Sequence, residues 1–315
     1  LFVEGSSDMS YLLGGKGANL AEMTSLNIPV PCGFTISTEA CVYFMNHGTY
    51  PVGFKKQVTN SMQYLENIMG QKFGNTKNPM LVSVRSGARQ SMPGMMETIL
   101  NVGLTKKTLS GLINKTNNKR FAYDSYRRLI SMYADVVMDK SNNLNCDLRK
   151  HLELVLSKVK KQHNISNDFE IGVNQLKGVC EKYKKTIIDK TQLAFPDNPK
   201  KQLWESIQAV FNSWNGDRAK HYRKIEKIPA DWGTAVNVQV MVFGNMNNES
   251  ATGVAFTRNP STGENMFFGE WLPNAQGEDV VSGIRTPFPL SGKQKISLES
   301  QMPNIYKELF QIQKK

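Results

Sequence analysis

The sequence predicts an α+β fold with an inserted helical subdomain, and three observations predict it. Within residues 1–105, glycine-punctuated turns surround a helix at residues 18–26 and a strand-like run at residues 80–85. From residue 106 to 194, Leu, Ile, Val and Tyr recur at three- and four-residue spacing among lysines, as at residues 121–138 and 148–159, which is helical periodicity. After residue 230 the composition turns to β-branched, apolar runs at residues 235–243, 253–257 and 265–269.

Taken in order, residues 1–105 form a first subdomain that residues 195–242 complete, residues 106–194 form the helical insertion, and residues 243–315 form a second subdomain. Asn and Lys clusters at residues 142–145 and 164–168 suit surface turns. An amphipathic helix is expected over residues 202–222, with Trp204, Ile207, Phe211 and Trp214 on one stripe. Residues 245–250 read as a hairpin-like turn between two strands. Residues 302–315 follow a helical pattern with no terminating cap, so the chain is expected to stop inside an element.

With 315 residues, 40% of them hydrophobic, the chain has material for one large core or two to three smaller ones. No stretch approaches the roughly 20 apolar residues of a membrane helix, and no basic segment followed by an apolar run opens the chain. Cytoplasm is the expectation, with an organelle such as a plastid or glycosome left open because the first residue is Leu1. Cys32, Cys41, Cys146 and Cys180 lack CxxC spacing and no histidine stands at ligand spacing beside them, so structural thiols are expected. The net charge of +12 is concentrated in residues 106–194, where 18 Lys and Arg face 9 Asp and Glu. A solvated helical surface accounts for that excess, and no aromatic-interleaved motif points to nucleic acid.

Four segments carry candidate chemistry. Leu13-Gly-Gly-Lys-Gly-Ala-Asn-Leu20 is a glycine-rich turn leading into a helix. Such a turn brings backbone N–H groups close to an anion, and Lys16 adds a cation, although the spacing is not that of a Walker A loop and a structural turn is the alternative. In Val82-Ser-Val-Arg-Ser-Gly-Ala-Arg-Gln-Ser-Met-Pro-Gly-Met-Met-Glu-Thr98, a strand delivers Arg85 and then Arg89 into a Ser/Gly/Pro/Met loop, resembling a phosphate clamp with a lid. Met92, Met95 and Met96 are too many for a solvated loop unless they touch an adenine face or a neighbouring domain. Gln239, Met241 and Val242, in an apolar strand ahead of a turn, are candidates for holding a base; an internal strand with one satisfied Gln is the alternative. Glu270, Glu278 and Asp279 lie near turns, where ribose or magnesium contacts and capping compete.

In this order the four segments resemble the N-terminal domain of the pyruvate phosphate dikinase family, an ATP-grasp fold. The resemblance is close at Gly14-Gly-Lys-Gly17, at residues 82–104, at Phe121-Ala-Tyr-Asp-Ser-Tyr-Arg-Arg128, and at residues 231–245 and 253–287. Phosphoenolpyruvate synthases share the glycine turn and the Val-Arg-Ser element. Ser91-Met-Pro-Gly-Met-Met96 and Asn274-Ala-Gln-Gly-Glu-Asp279 favour the dikinase.

The resemblance implies that ATP, phosphate and pyruvate interconvert with AMP, pyrophosphate and phosphoenolpyruvate through a histidine on a separate domain, with Mg2+ neutralising the phosphates. By it, Lys16 and Arg85 stabilise the phosphoryl groups, Arg89 lies beside them, and residues 94–98, Gly94 and Thr98 included, cover them. Gln239, Met241 and Val242 hold adenine, and Glu270 and Asp279 contact the nucleotide's polar side. It also implies phosphohistidine and pyruvate-binding domains elsewhere in the full-length chain, a homodimeric parent, and metal ligands that lie beyond Lys315, leaving this stretch inactive alone.

Overall fold

The computed structural model describes residues 1–142, 144, 146–281, 283, 285–292 and 296–315. It divides into two units, Leu1–Met241 and Val242–Lys315. Among the described residues, no helix is long and apolar enough to cross a membrane.

The first unit begins with α1 (Ser10–Ser25), β1 (Gly33–Ile36), α2 (Thr38–His47) and α3 (Phe54–Met69). Two short strands, β2 (Lys72–Phe73) and β3 (Pro79–Met80), precede β4 (Val82–Gly87) and β5 (Thr98–Val102). Helices α4 (Lys106–Thr116), α5 (Lys119–Tyr133), α6 (Leu148–Gln162), α7 (Val173–Thr191), α8 (Pro199–Ser213) and α9 (Asp217–Ile225) follow, and β6 (Ala235–Val240) closes the unit. The main sheet has the order β1-β6-β4-β5 and is antiparallel throughout, so its central strand β6 arrives last in the chain. All six residues of β6 are buried, as the run Ala-Val-Asn-Val-Gln-Val suggests for a strand covered on both faces. Helix α1 packs against β1, β4 and β6, and α2 and α8 meet through Phe44 and Phe211, whose ring centroids are 5.6 Å apart.

Local chemistry sets the helix limits. Asn118 and Asn198 cap α5 and α8 by accepting from Phe121 N and Lys201 N, and Pro199 opens α8 where its missing N–H costs nothing. The helix expected over residues 202–222 is two helices. Trp214 turns inward, its indole N–H donating to the Ala230 carbonyl at 2.8 Å and its ring stacking 4.1 Å from the Arg223 guanidinium, and Gly216 in extended geometry restarts the chain as α9. Helix α1 begins earlier than expected, before the glycines. Helix α5 widens after Tyr133 into a π-helical segment, Ala134–Lys140.

Helix α5 is fixed to the segment before α7 by a buried charge network. Asp124 lies 2.7 Å from Arg127 Nη2 and 3.1 Å from Arg128 Nε, and Arg127 also lies 3.4 Å from Asp168. Burial raises the Asp124 carboxyl's pKa, but the Arg127 and Arg128 guanidiniums outweigh it and hold the group at about 2. A folded-state pKa below the unfolded one means that this stabilisation is present above about pH 4 and is lost as the pH falls toward 2. Asp124→Asn leaves the buried Arg127 and the half-buried Arg128 short of their partner and is expected to cost about 3 kcal/mol at pH 7. Urea unfolding midpoints at pH 7 and pH 3 check this, the difference between wild type and variant shrinking at the lower pH.

The second unit holds β7 (Ala251–Phe256), β8 (Phe268–Pro273), α10 (Gly277–Val281), β9 (Phe288–Pro289), α11 (Leu298–Gln301) and α12 (Pro303–Lys314). Its antiparallel sheet runs β7-β8-β9 over a core of Phe267, Trp271, Leu290 and Leu298, against which Tyr306 and Leu309 of α12 pack. Two expectations need correction. Residues 245–250 do not join a hairpin, because β6 pairs with β1 and β4 whereas β7 pairs with β8. The strand expected at residues 265–269 starts at Phe268, because the preceding Asn-Pro-Ser-Thr-Gly turn extends further. The Asn259 side chain accepts from Ser261 N and Thr262 N, and Met266 N returns to the Glu264 carbonyl.

Candidate functional site

Strand pairing assembles one polar row across the main sheet. Thr35 of β1 faces Asn237 of β6, Asn237 faces Arg85 of β4, and Arg85 faces Thr98 of β5. Side chains directly opposite in adjacent strands share a face, so these four residues from distant parts of the sequence lie side by side. The Thr35 hydroxyl donates to Asn237 Oδ1 at 2.8 Å. Asn237 is 1% exposed, and its Nδ2 has no hydrogen-bond partner among the described residues.

Helix α1 lies over this row and is shaped by the absence of side chains. Gly14, at φ 66° and ψ 168°, kinks the helix, and a Cβ there would stand 1.7 Å from the Gly87 carbonyl oxygen. The Gly15 N–H then donates to the Ala88 carbonyl at 2.9 Å, tying the kink to the end of β4. A Cβ on Gly17 would lie 2.9 Å from Thr35 Oγ1 and 3.1 Å from Asn237 Oδ1. The expected glycine-rich turn is therefore a close docking of helix on sheet, and it presents Lys16 beside Arg85.

Lys16 is exposed and has no ion-pair partner among the described residues, yet desolvation by the protein around its ammonium group and, second, the positive charge of Arg85 lower its pKa. Arg85 is half-buried on a central strand. A lysine whose charge is disfavoured by a neighbouring arginine gains when an anion enters.

Residues 88–97 connect β4 to β5 and so leave and rejoin the sheet beside Arg85. Met92, Pro93, Gly94 and Met95 form a turn closed by Met95 N to the Met92 carbonyl at 3.1 Å, with Gly94 at φ 71°. The methionines find their apolar partner within the first unit. Met92 is buried with Trp214, Ala219 and Ile228, and Met95, Met96 and Trp232 pack against that cluster. Arg89 stacks its guanidinium 5.3 Å from the Trp232 ring, and its Nε is buried without a hydrogen-bond partner.

The structure brings Lys16, Arg85 and Thr98 together, with Arg89 and Gly94 in the adjoining loop. Gln239 is buried and its side-chain amide donates to the Pro31 carbonyl at 3.0 Å, while Met241 N donates to the Leu81 carbonyl at 2.9 Å. Val242, in the second unit, is 67% exposed. Glu270 is exposed on β8 opposite Val254. Asp279 accepts from Gln276 N at 2.9 Å at the start of α10, a capping contact. Among the described residues no group of three or more His, Cys, Asp or Glu stands close enough to hold a metal ion.

Sequence reasoning missed Thr35 and Asn237. A signal was present for the second, because Asn is depleted in strands and one set inside a β-branched run marks a position with a polar task.

The pyruvate phosphate dikinase AMP/ATP-binding domain model matches residues 10–50 and 49–303. The chain is 49% identical over 313 residues to the pyruvate, phosphate dikinase of Clostridium symbiosum, covering 99% of this chain and 34% of that protein. It is 49% identical over 317 residues to the Rhizobium meliloti protein of the same name, covering 98% and 34%, and 48% identical over 307 residues to the chloroplastic pyruvate, phosphate dikinase 1 of Zea mays, covering 97% and 31%. The chain thus spans about a third of the length of the curated relatives it matches.

Proposed function

Since the chain belongs to the pyruvate phosphate dikinase AMP/ATP-binding domain family, we propose that it is the ATP-binding, phosphotransfer domain of a pyruvate phosphate dikinase, with an ATP-grasp architecture. In this reading ATP, phosphate and pyruvate become AMP, pyrophosphate and phosphoenolpyruvate by way of a histidine on another domain of the full-length chain. The observation that carries it is the close docking of the Gly14–Gly17 segment of α1 on β4 and β6, which sets Lys16 within electrostatic reach of Arg85. Arg85, on a rigid strand, supplies a planar fork of donors for phosphoryl oxygens, and Lys16 supplies a mobile point charge.

Residues 94–98, with Gly94 giving the turn and Thr98 beside Arg85, cover the phosphates, and Arg89 steadies the loop from Trp232. Residues 239–241 take the adenine edge, with Gln239 buttressing the strand through Pro31 and Met241 giving apolar contact, and the family resemblance alone assigns Val242, Glu270 and Asp279 to the nucleotide. Mg2+ belongs to the proposal as a companion of the phosphates, with protein ligands expected elsewhere in the full-length chain. Homodimerisation of the parent and a cytoplasmic location belong to the same proposal.

Mass balance supplies the test. Conversion of ATP to AMP releases two phosphoryl groups, of which phosphoenolpyruvate carries one. If the other goes to phosphate, pyrophosphate forms; if it goes to water, orthophosphate forms. The full-length protein, given MgATP and pyruvate, is expected to require added phosphate and to release AMP and pyrophosphate in equal amounts. Turnover without added phosphate, releasing orthophosphate, would assign a phosphoenolpyruvate synthase reaction instead, and ADP as product would sink both.

A further inference from the structure

The loop over the Lys16–Arg85 site is anchored twice, and the second anchor reaches into the helical insertion. Its first anchor is the methionine cluster around Trp214. Its second is Glu97, the last residue before β5, whose carboxylate lies 3.1 Å from Lys140 Nζ and 3.6 Å from Arg218 Nη2. Glu97 also ties its backbone carbonyl to Ser86 N at 3.3 Å. The Glu97 backbone is therefore one residue from Thr98 along the chain and hydrogen-bonded to the residue that follows Arg85, at the base on which the loop turns.

The π-helical segment explains how Lys140 is aimed. Lys140 is its last residue, and Asp135 holds the same ammonium at 2.8 Å. In an α-helix, residues five apart are about 140° apart around the axis and do not meet. A π-helix makes i to i+5 bonds and brings such residues onto one side. The widening thus puts Asp135 and Lys140 side by side, and Asp135 holds the ammonium where Glu97 can reach it. Arg218, at the start of α9, closes the other side of the same carboxylate.

We propose that Glu97 is a positioning residue, and that Lys140 and Arg218 hold it as a latch that keeps the 88–97 loop in place for nucleotide. This rests on the ATP-binding reading above only for what the loop covers. It gives the helical insertion a task, which is to set the equilibrium of that loop. An ion pair with solvent access contributes little to global stability, so the latch acts on loop closure and leaves the fold as it is.

The test uses the full-length protein with Lys140→Met, Glu97→Gln and Lys140→Arg. Without nucleotide, hydrogen exchange of the 88–97 backbone is expected to quicken about fivefold in the first two variants and to return to the wild-type rate in Lys140→Arg. With ATP, the KM of the first two is expected to rise by a similar factor while kcat changes less than about twofold. Unchanged exchange at 88–97 overturns the latch. Faster exchange without a change in KM overturns its role toward nucleotide. Faster exchange throughout the chain with a lower Tm means a merely structural contact, and failure of Lys140→Arg to restore exchange means packing instead of charge. The exchange arm needs no ATP, so it reads the latch even if the wild-type protein fails to turn ATP over, which would be a failure of the functional reading alone.

Discussion

Arg85→Ala is expected to lower kcat/KM for ATP in the full-length protein by about 10²- to 10³-fold, measured as AMP formation under saturating pyruvate and phosphate. The size of the effect follows from where the residue stands. Arg85 comes from a central strand, with Asn237 and Thr98 opposite it on either side, so its guanidinium starts from a rigid base. A donor held in place before the reaction costs no reorganisation as charge develops, and that is lost with it. Arg85→Lys is expected to recover little, because an ammonium group does not reproduce the two parallel donors of the fork. Lys16→Ala should reach a comparable loss, and the double variant should fall short of the product of the two if both cations hold the same phosphoryl group. An Arg85→Ala protein within about fivefold of wild type would remove this residue from the reaction.

Gly14→Ala carries the largest expected cost to stability, about 4 kcal/mol, seen as a fall in Tm of about 10 °C. Two penalties add. The residue sits at φ 66°, where an L side chain is strained, and its Cβ would stand 1.7 Å from the Gly87 carbonyl, which belongs to a buried strand and cannot step aside cheaply. Gly48 separates the two terms. It has φ 68° at the end of α2, but a Cβ there meets nothing within 4 Å, so Gly48→Ala pays the backbone strain alone, about 1 kcal/mol. Equal shifts for the two variants would show that the docking of α1 on β4 is looser than the distances imply. The Gly14 variant should also lose affinity for ATP, since the kink that fails is the one presenting Lys16.

What the sequence made legible was local. Val-Ser-Val-Arg alternation located β4 and three- and four-residue spacing located the helices of residues 106–194, whereas the Gly-Gly-Lys-Gly run was legible as a turn before a helix and is a kink within one. What it hid was pairing at a distance. Thr35 and Asn237 form one hydrogen bond across 202 residues of sequence, and neither is remarkable in its own segment except for an Asn in a strand. The break at Trp214 was hidden for a similar reason, since the apolar stripe runs on past the point where Ala230 and Arg223 capture the indole. The methionines of the loop announced an apolar partner by their number, but the partner comes from Trp214 just past α8, from α9 and from the residues after it. The second unit's strand limits shifted because the Asn259 turn uses more residues than composition alone suggests.

The late arrival of β6 has a consequence for how this protein is made. A ribosome that has just released β1, β4 and β5 has produced three strands whose central neighbour is still untranslated. At ordinary elongation rates the roughly 200 residues between β1 and β6 take on the order of 10 to 40 s to synthesise. Ile36 lacks the strand that covers it through that interval, Val82 and Val84 through roughly the last three-quarters of it, and a pairing so remote in sequence meets its loop-closure entropy in one late step. These strands thus stay without their partner until residue 240 has left the exit tunnel, and slowed translation in the helical insertion lengthens that exposure.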